Sequence, residues 1–498
     1  MPLLRRRTLR KSPLTGQNRI AALLLGVLAC GCMVHRPAEH AEPAVTAPPR
    51  FAEARPSESA PRPALPAPWW RAFEDPTLDS LIERALAGNL ELAAFAARID
   101  QANALLRQAR GQLFPLLDAG AQYESRWLEL DSSNPIRQES ASAGALLDWE
   151  LDLWGRLRSI RSATRLEARA AAHDWLGARL LISAAVAETY FEILEQREQL
   201  QLLREQLDAN QTLLELTRLR FGQGQSSIVD VLQQQEQLAS TSALVPEIES
   251  RLEELEYALD VLLGHAPGTR DRFPAGTLAV PPPIPDTGVP SDLLGKRPDL
   301  LAAGDRVTAL DYRVGEAIAD RLPRVAIGGS LTVAGDPGFD QLIGGALASL
   351  AGPVFDAGIR KAEVDRRQAQ LRERLADYSG AYLAAVRDVE TALLRERKQA
   401  ERVRRLNSQL EIAQQLLTET RNRYSQGLTD YLPVLGAVVT EQNLQREVIT
   451  ARRGLLSLRV ALHRALGGPM KADPFSTVEE QAALANPTPR SDDSRPHR

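Results

Sequence analysis

The chain has 498 residues, a formal net charge of −4, 25% charged residues and only 5% aromatics. No Lys/Arg-rich face stands out, which argues against nucleic acid as a partner. Phe, Tyr and Trp are the large fillers of globular cores, so their scarcity beside abundant Leu, Ala, Gln, Glu and Arg predicts long helices and few thick cores.

Residues 1–31 read as an export signal. Arg5, Arg6, Arg7, Arg10, Lys11 and Arg19 give a positive region, and Ile20 to Ala29 is an apolar run too short to span a bilayer. It ends in Leu28-Ala29-Cys30-Gly31-Cys32, which resembles the lipobox of bacterial lipoproteins. That resemblance implies cleavage before Cys32 and acylation of its thiol; Cys30 is the alternative, because Ala29 also suits cleavage. A covalent N-terminal lipid is then the one non-protein group expected; no cofactor or metal is. These are the only two cysteines, so a structural disulfide is not expected in the mature chain. Residues 32–67 are rich in Pro, Ala and Glu and read as an extended leader without a core.

The first repeat covers 68–270. Leu81, Ile82, Ala85, Leu86, Leu92, Ala96, Ile99 and Leu106 keep a helical stripe from Asp79 to Leu113, which Pro115 ends. Period-two alternation then predicts strands at 117–128 and 141–153. Each is long enough to cross a bilayer as a tilted strand, and Trp127, Trp149 and Trp154 near their ends fit membrane-interface girdles. A helical hairpin follows over 155–264. Gly155 to Phe221 contains no proline, which at 1.5 Å per residue is about 100 Å of helix. A Pro-rich linker covers 271–290.

The second repeat covers 291–469. Its strands fall at 324–334 and 342–355, and its helical hairpin at 358–467. Phe221-Gly222-Gln223-Gly224 is answered by Tyr424-Ser425-Gln426-Gly427, a shift of 203 positions (424 − 221). The same shift carries Gly155 to Gly358 and Leu263-Gly264 to Leu466-Gly467. Long helices impose such constancy, because one inserted residue would rotate every later side chain off its face. The tail, 470–498, is polar and reads as disordered.

Four membrane-crossing strands cannot close a barrel, and open sheet edges in lipid leave backbone groups without partners. The pattern therefore calls for a ring of identical chains. The chain also resembles the TolC-like outer-membrane efflux proteins, in the lipoprotein branch serving resistance-nodulation-division pumps. The matching stretches are Trp70-Arg71-Ala72-Phe73, Asp75-Pro76-Thr77-Leu78, Glu150 to Arg156, Arg218 to Gly224, Lys296 to Leu300 and Ala465 to Gly468. The resemblance implies a mixed α/β membrane protein. In it a homotrimer pools four strands per chain into a twelve-stranded outer-membrane barrel, continuous with a periplasmic helical barrel. It further implies passive export of drugs, metals or metabolites delivered by an inner-membrane pump and a periplasmic adaptor.

By the same resemblance, the hairpin tips meet the adaptor through Arg218, Arg220, Phe221, Gly222 and Gly224, and through Arg421, Arg423, Tyr424, Ser425 and Gly427. Acidic residues often line the closed aperture in this family, but the matching positions here are Pro433 and Gly436. Asp230 and Asp430 are the candidates to replace them, with a plain helix N-terminal role as the competing reading. No enzyme is expected. The six histidines are scattered, and His173 and His463 read as surface or helix-seam residues. The rival function is a lipid-anchored periplasmic coiled-coil adaptor or scaffold that does not span the outer membrane.

Overall fold

The computed structural model describes residues 35–38, 41–53, 68–128, 136–269, 276–335 and 339–468. Both cysteines, the two strand-joining turns and the tail beyond residue 468 lie outside the described residues. In chain order the elements are α1 (Pro76–Gly88), α2 (Leu90–Gly111), β1 (Leu116–Leu128), β2 (Ile136–Leu151), α3 (Arg156–Gly222), α4 (Ile228–Leu262), α5 (Pro298–Ala319), β3 (Arg324–Gly335), β4 (Gln341–Ala351), α6 (Ile359–Ser425) and α7 (Tyr431–Ala465). Short turns at Trp69–Phe73 and Leu293–Lys296 precede α1 and α5. Among the described residues no helix is long and apolar enough to cross a membrane.

The repeat survives in the coordinates: α3 and α6 each have 67 residues, and α4 and α7 each have 35. α4 continues through Pro246, which has no N–H to give to its helix. The stretch expected as one helix from Asp79 to Leu113 is two. Asp75 caps α1 by accepting from the Thr77 and Leu78 amides at 2.9 and 3.2 Å. Asn89 breaks the run: its Oδ1 accepts from the Glu91 and Leu92 amides at 2.9 and 3.1 Å, and its Nδ2 donates to the Leu262 carbonyl at 2.9 Å. Strand β2 starts five residues before the expected Ala141 and stops at Leu151; β4 stops at Ala351, short of the expected residue 355.

The chain divides into two compact units. One contains residues 100–170 and 303–378, with the leader up to Glu42. It holds a four-stranded antiparallel sheet in the order β1-β2-β3-β4. In this unit Arg169 grips Asp305 with a two-pronged ion pair, one arm at 2.7 Å. His35 of the leader meets Asp311 at 2.6 Å.

The other unit contains residues 43–99, 171–302 and from Ser379 onward. Its core gathers Trp69, Trp70, Phe73, Leu78, Leu81, Phe191, Leu259 and Leu456, so some of the chain's few aromatics do fill a core. The described parts of the leader, 35–38 and 41–53, are irregular yet not free of packing. Phe51 is buried, the Ala52 and Glu53 amides donate to the Glu390 carboxylate at 2.5 and 2.9 Å, and Glu53 pairs with Arg397 at 2.7 Å. Of the two readings of His463, surface or seam, it is the second that applies: the ring is buried and stacks on Trp69 with centroids 5.4 Å apart.

Candidate functional site

The sheet comes first. Register places Ala121, Ala143, Val333 and Leu342 in one row, and Gln122, Ser142, Ala334 and Gln341 in the next. Successive side chains point to opposite faces, so the first row and its alternates build an apolar face. Leu117, Tyr123, Trp127, Ile327, Leu331 and Leu350 lie on it, each at least 41% exposed. The opposite face is mixed: it carries Asp118, Glu124, Arg126, Asp148, Thr332 and Ser349 together with the exposed Leu146, Ile343 and Leu347. An apolar face backed by one that carries most of the charged residues is the pattern of a membrane barrel wall. β4 is exposed along its entire length, and among the described residues neither β1 nor β4 has a partner on its outer edge.

The tryptophans fall at both ends of this sheet. Trp127 lies at the β1–β2 turn end, where the Arg137 guanidinium sits 5.1 Å from its ring centroid. Trp149 and Trp154 lie at the helix end. Their indole N–H groups donate to the Leu113 carbonyl at 3.0 Å and the Pro323 carbonyl at 2.6 Å.

The two helical turns share one geometry. Gly224 and Gly427 have φ of 71° and 72°, and the following amides of Gln225 and Leu428 reach back to the Arg220 and Arg423 carbonyls at 2.9 Å. This is the Schellman arrangement, which needs a left-handed residue that glycine supplies without strain. Gly222 is still helical and supplies no reversal. Arg220 and Tyr424 are brought together, with the guanidinium 4.5 Å from the ring centroid. Tyr424 is buried and meets Tyr431 edge-on at 5.6 Å, while Tyr431 donates to the Gln234 side chain. Arg218, Phe221, Arg421 and Arg423 remain exposed around this packed centre.

The two candidate acids differ. The Asp230 carboxylate accepts from the Ser227 amide at 2.9 Å and the Ser226 hydroxyl at 2.8 Å, while its own amide donates to the Ser227 hydroxyl at 3.2 Å. That is a capping box. Burial alone would raise the Asp230 pKa, but the Ser227 and Ser226 hydrogen bonds together outweigh it and hold the carboxyl below its ordinary value. Asp430 is exposed and accepts no capping hydrogen bond, because Pro433 occupies the position of Asp230 and cannot complete the box. Pro433 and Gly436 are both exposed on α7.

Sequence reasoning missed a buried polar seam joining α3, α4 and α7. Asn210 donates to Thr241 at 3.1 Å and accepts from Gln442 at 3.1 Å, while Gln234 donates to the Asn210 carbonyl at 2.9 Å. Gln206 donates to Gln445 at 2.7 Å. The signal was present as polar residues at 206, 210 and 217 in step with Leu203 and Leu213, at helix-face spacing.

The sheet and paired hairpins agree with what known proteins show. A family model described as outer membrane efflux protein matches residues 81–265 and 289–468. The pyoverdine export outer membrane protein OpmQ of Pseudomonas putida is 31% identical over 422 residues, spanning 81% of this chain and 88% of that protein. The probable outer membrane lipoprotein SilC of Salmonella typhimurium is 25% identical over 409 residues, spanning 80% of this chain and 87% of that protein. The solved outer-membrane channel OprN superposes with a TM-score of 0.78 at 27% identity, over 88% of this chain and 99% of that one. A periplasmic adaptor is thereby set aside, and the chain belongs to the outer membrane efflux protein family and serves as an outer-membrane efflux channel.

Proposed function

We propose that three copies of this chain pool their sheets into one twelve-stranded barrel, through which solutes leave the cell passively. The observation that carries this is the four-stranded sheet, apolar on one face, with its charged residues mostly on the other and open at both edges. Lipid forbids such edges, so further strands must come from other copies. Acylation at Cys32 anchors each copy as well, and a lipid chain plus an inserted barrel holds far more firmly than one chain alone. The paired hairpins form the periplasmic conduit. Their exposed tips, Arg218, Phe221, Arg421 and Arg423, dock a periplasmic adaptor carrying an inner-membrane resistance-nodulation-division pump, with Arg220 and Tyr424 packed behind them. The cargo class is small solutes delivered by that pump, in keeping with a relative named for pyoverdine export.

Asp430 is the acid offered to the aperture, because its carboxylate is free of the capping bonds that occupy Asp230. Single-channel recording in planar bilayers tests both points. The wild-type chain is expected to give discrete, cation-preferring steps, and Asp430→Ala to lose that preference. Steps of unchanged ion preference in Asp430→Ala remove Asp430 from the aperture; absence of any conductance removes the channel reading.

A further inference from the structure

The second unit holds a cleft that a conduit does not require. It has a volume of about 660 Å³ and lies between α3, α6, the end of α7 and the start of α5, with every lining residue in that one unit. Its charges are Arg297, Arg387, Arg395 and Arg464 against Asp299 and Asp388, an excess of two positive charges (4 − 2). Both acids are already engaged. Arg297 holds Asp299 through two hydrogen bonds, at 3.1 and 2.8 Å, and Asp388 lies 3.6 Å from Arg297 and 3.2 Å from Arg387. Arg395 and Arg464 are exposed and make no hydrogen bond or ion pair among the described residues. Arg464 acts on the charge of Glu188, outside the cleft, without pairing with it. The rest of the lining is largely apolar, with Leu180 buried and Leu458 and Ala461 half-buried. Two unpaired guanidinium groups over an apolar floor suit an anionic ligand with an apolar side group.

The chain carries a segment of that chemistry just beyond the cleft. Ala465 forms part of the cleft wall, and the described residues end at Gly468, where the family model also ends. Residues 472–489 then contain Asp473, Glu479 and Glu480 but no Lys or Arg, and Phe475 is the only Phe, Tyr or Trp after Gly468. We propose that the segment Asp473–Glu480 turns back and seats in the cleft of its own chain, with its carboxylates on Arg395 and Arg464 and Phe475 on the apolar floor.

Reach and charge both favour this occupant. Asp473 and Glu480 follow Gly468 by 5 and 12 residues (473 − 468 and 480 − 468), which in extended chain spans at most about 17 and 40 Å. A segment on so short a tether meets the cleft at an effective concentration of about millimolar, so even a weak site stays filled. Three acids answer the two unpaired arginines and the excess charge of the lining. The polar tail is then fastened at its near end, and the strap ties α6 to the end of α7 beside the bond that Arg297 gives to the Ala465 carbonyl at 3.3 Å. Because Arg395 and Arg464 are exposed, salt weakens the attachment.

Amide exchange read by mass spectrometry on the purified full chain in detergent tests the seating. A synthetic peptide of residues 469–485 supplies the unprotected rates. In the wild type, the amides from Phe475 to Glu480 are expected to exchange at least about tenfold more slowly than in the peptide. The combined variant Asp473→Asn, Glu479→Gln, Glu480→Gln changes only the tail and should bring them to the peptide rate. Arg395→Glu with Arg464→Glu should release the tail too, with exchange in α3 unchanged as the sign of an intact fold. Adding Asp473→Lys, Glu479→Lys and Glu480→Lys to that pair should restore the protection. Protection that survives both the neutralised tail and the reversed arginines places the tail elsewhere and overturns the proposal. Peptide-like rates in the wild type overturn it as well; inorganic phosphate that then slows exchange at residues 391–395 would give the cleft to a small anion instead.

Discussion

Phe191 and Phe355 belong to the same chain and to opposite situations. Phe191 is fully buried among Phe73, Tyr190 and the rest of the Trp69 core, while Phe355, in the segment between β4 and α6, is 89% exposed. The Trp69 core is complete within one polypeptide. The sheet and its flanking residues are incomplete, with apolar side chains and a free edge awaiting another molecule. On the proposed assembly, the chain folds one region for itself and leaves the other to its neighbours.

Substitutions separate the two regions. The largest effect is expected in the complete core: Phe191→Ala should lower stability by about 3–5 kcal/mol, through lost transfer energy and the cavity left behind. Thermal unfolding followed by helical circular dichroism reads this directly. If Phe191→Ala unfolds like the wild type, the core is not self-sufficient.

The same core carries an acid sensitivity. Burial, assisted by the nearby Arg459 charge, pushes the His463 pKa from 6.5 down to about 4. The folded chain therefore holds this imidazole neutral where the unfolded chain protonates it. Stability is full above about pH 6.5 and is lost as pH falls toward 4, by up to roughly 3 kcal/mol at one pKa unit per 1.36 kcal/mol. His463→Leu should flatten that part of the stability profile between pH 7 and pH 4; an unchanged slope would assign the loss to other groups.

In the incomplete region, Phe355→Ala should leave the fold of the single chain within about 0.5 kcal/mol of wild type. Burial of such a side chain in assembly contributes about 1.5–3 kcal/mol, so trimers should dissociate at least about tenfold more readily. Dilution series by light scattering would detect this, and unaltered dissociation would mean that Phe355 stays bare in the assembly.

The smallest contrast lies between the two helical turns. Ser227→Ala removes a capping box and should cost about 1 kcal/mol locally, seen as faster amide exchange at the start of α4. Asp430→Ala removes no capping bond and should leave exchange at the start of α7 nearly unchanged. Equal changes at both turns would erase the distinction between them.

Much of this was readable in the residues. The constant shift of 203 located both long hairpins to within a residue or two, because a helix face tolerates no insertion. Strand alternation gave the sheet and its two faces. The start of β2 was not visible, since Ile136 to Ser140 is largely polar and is drawn into the strand by pairing with β1. The break at Asn89 was hidden because Ala85 and Leu92, two turns apart, keep helical spacing across it. Phe51 and the Asn210 seam were missed for a different reason: burial there depends on elements distant in sequence. The pairing of Arg220 with Tyr424 likewise joins two hairpins that local patterning treats separately.

The detergent-corrected molar mass of the purified wild-type chain tests the central claim most directly. The account predicts a particle of three chains. A stable particle of one chain, its β1 and β4 edges free, would contradict it.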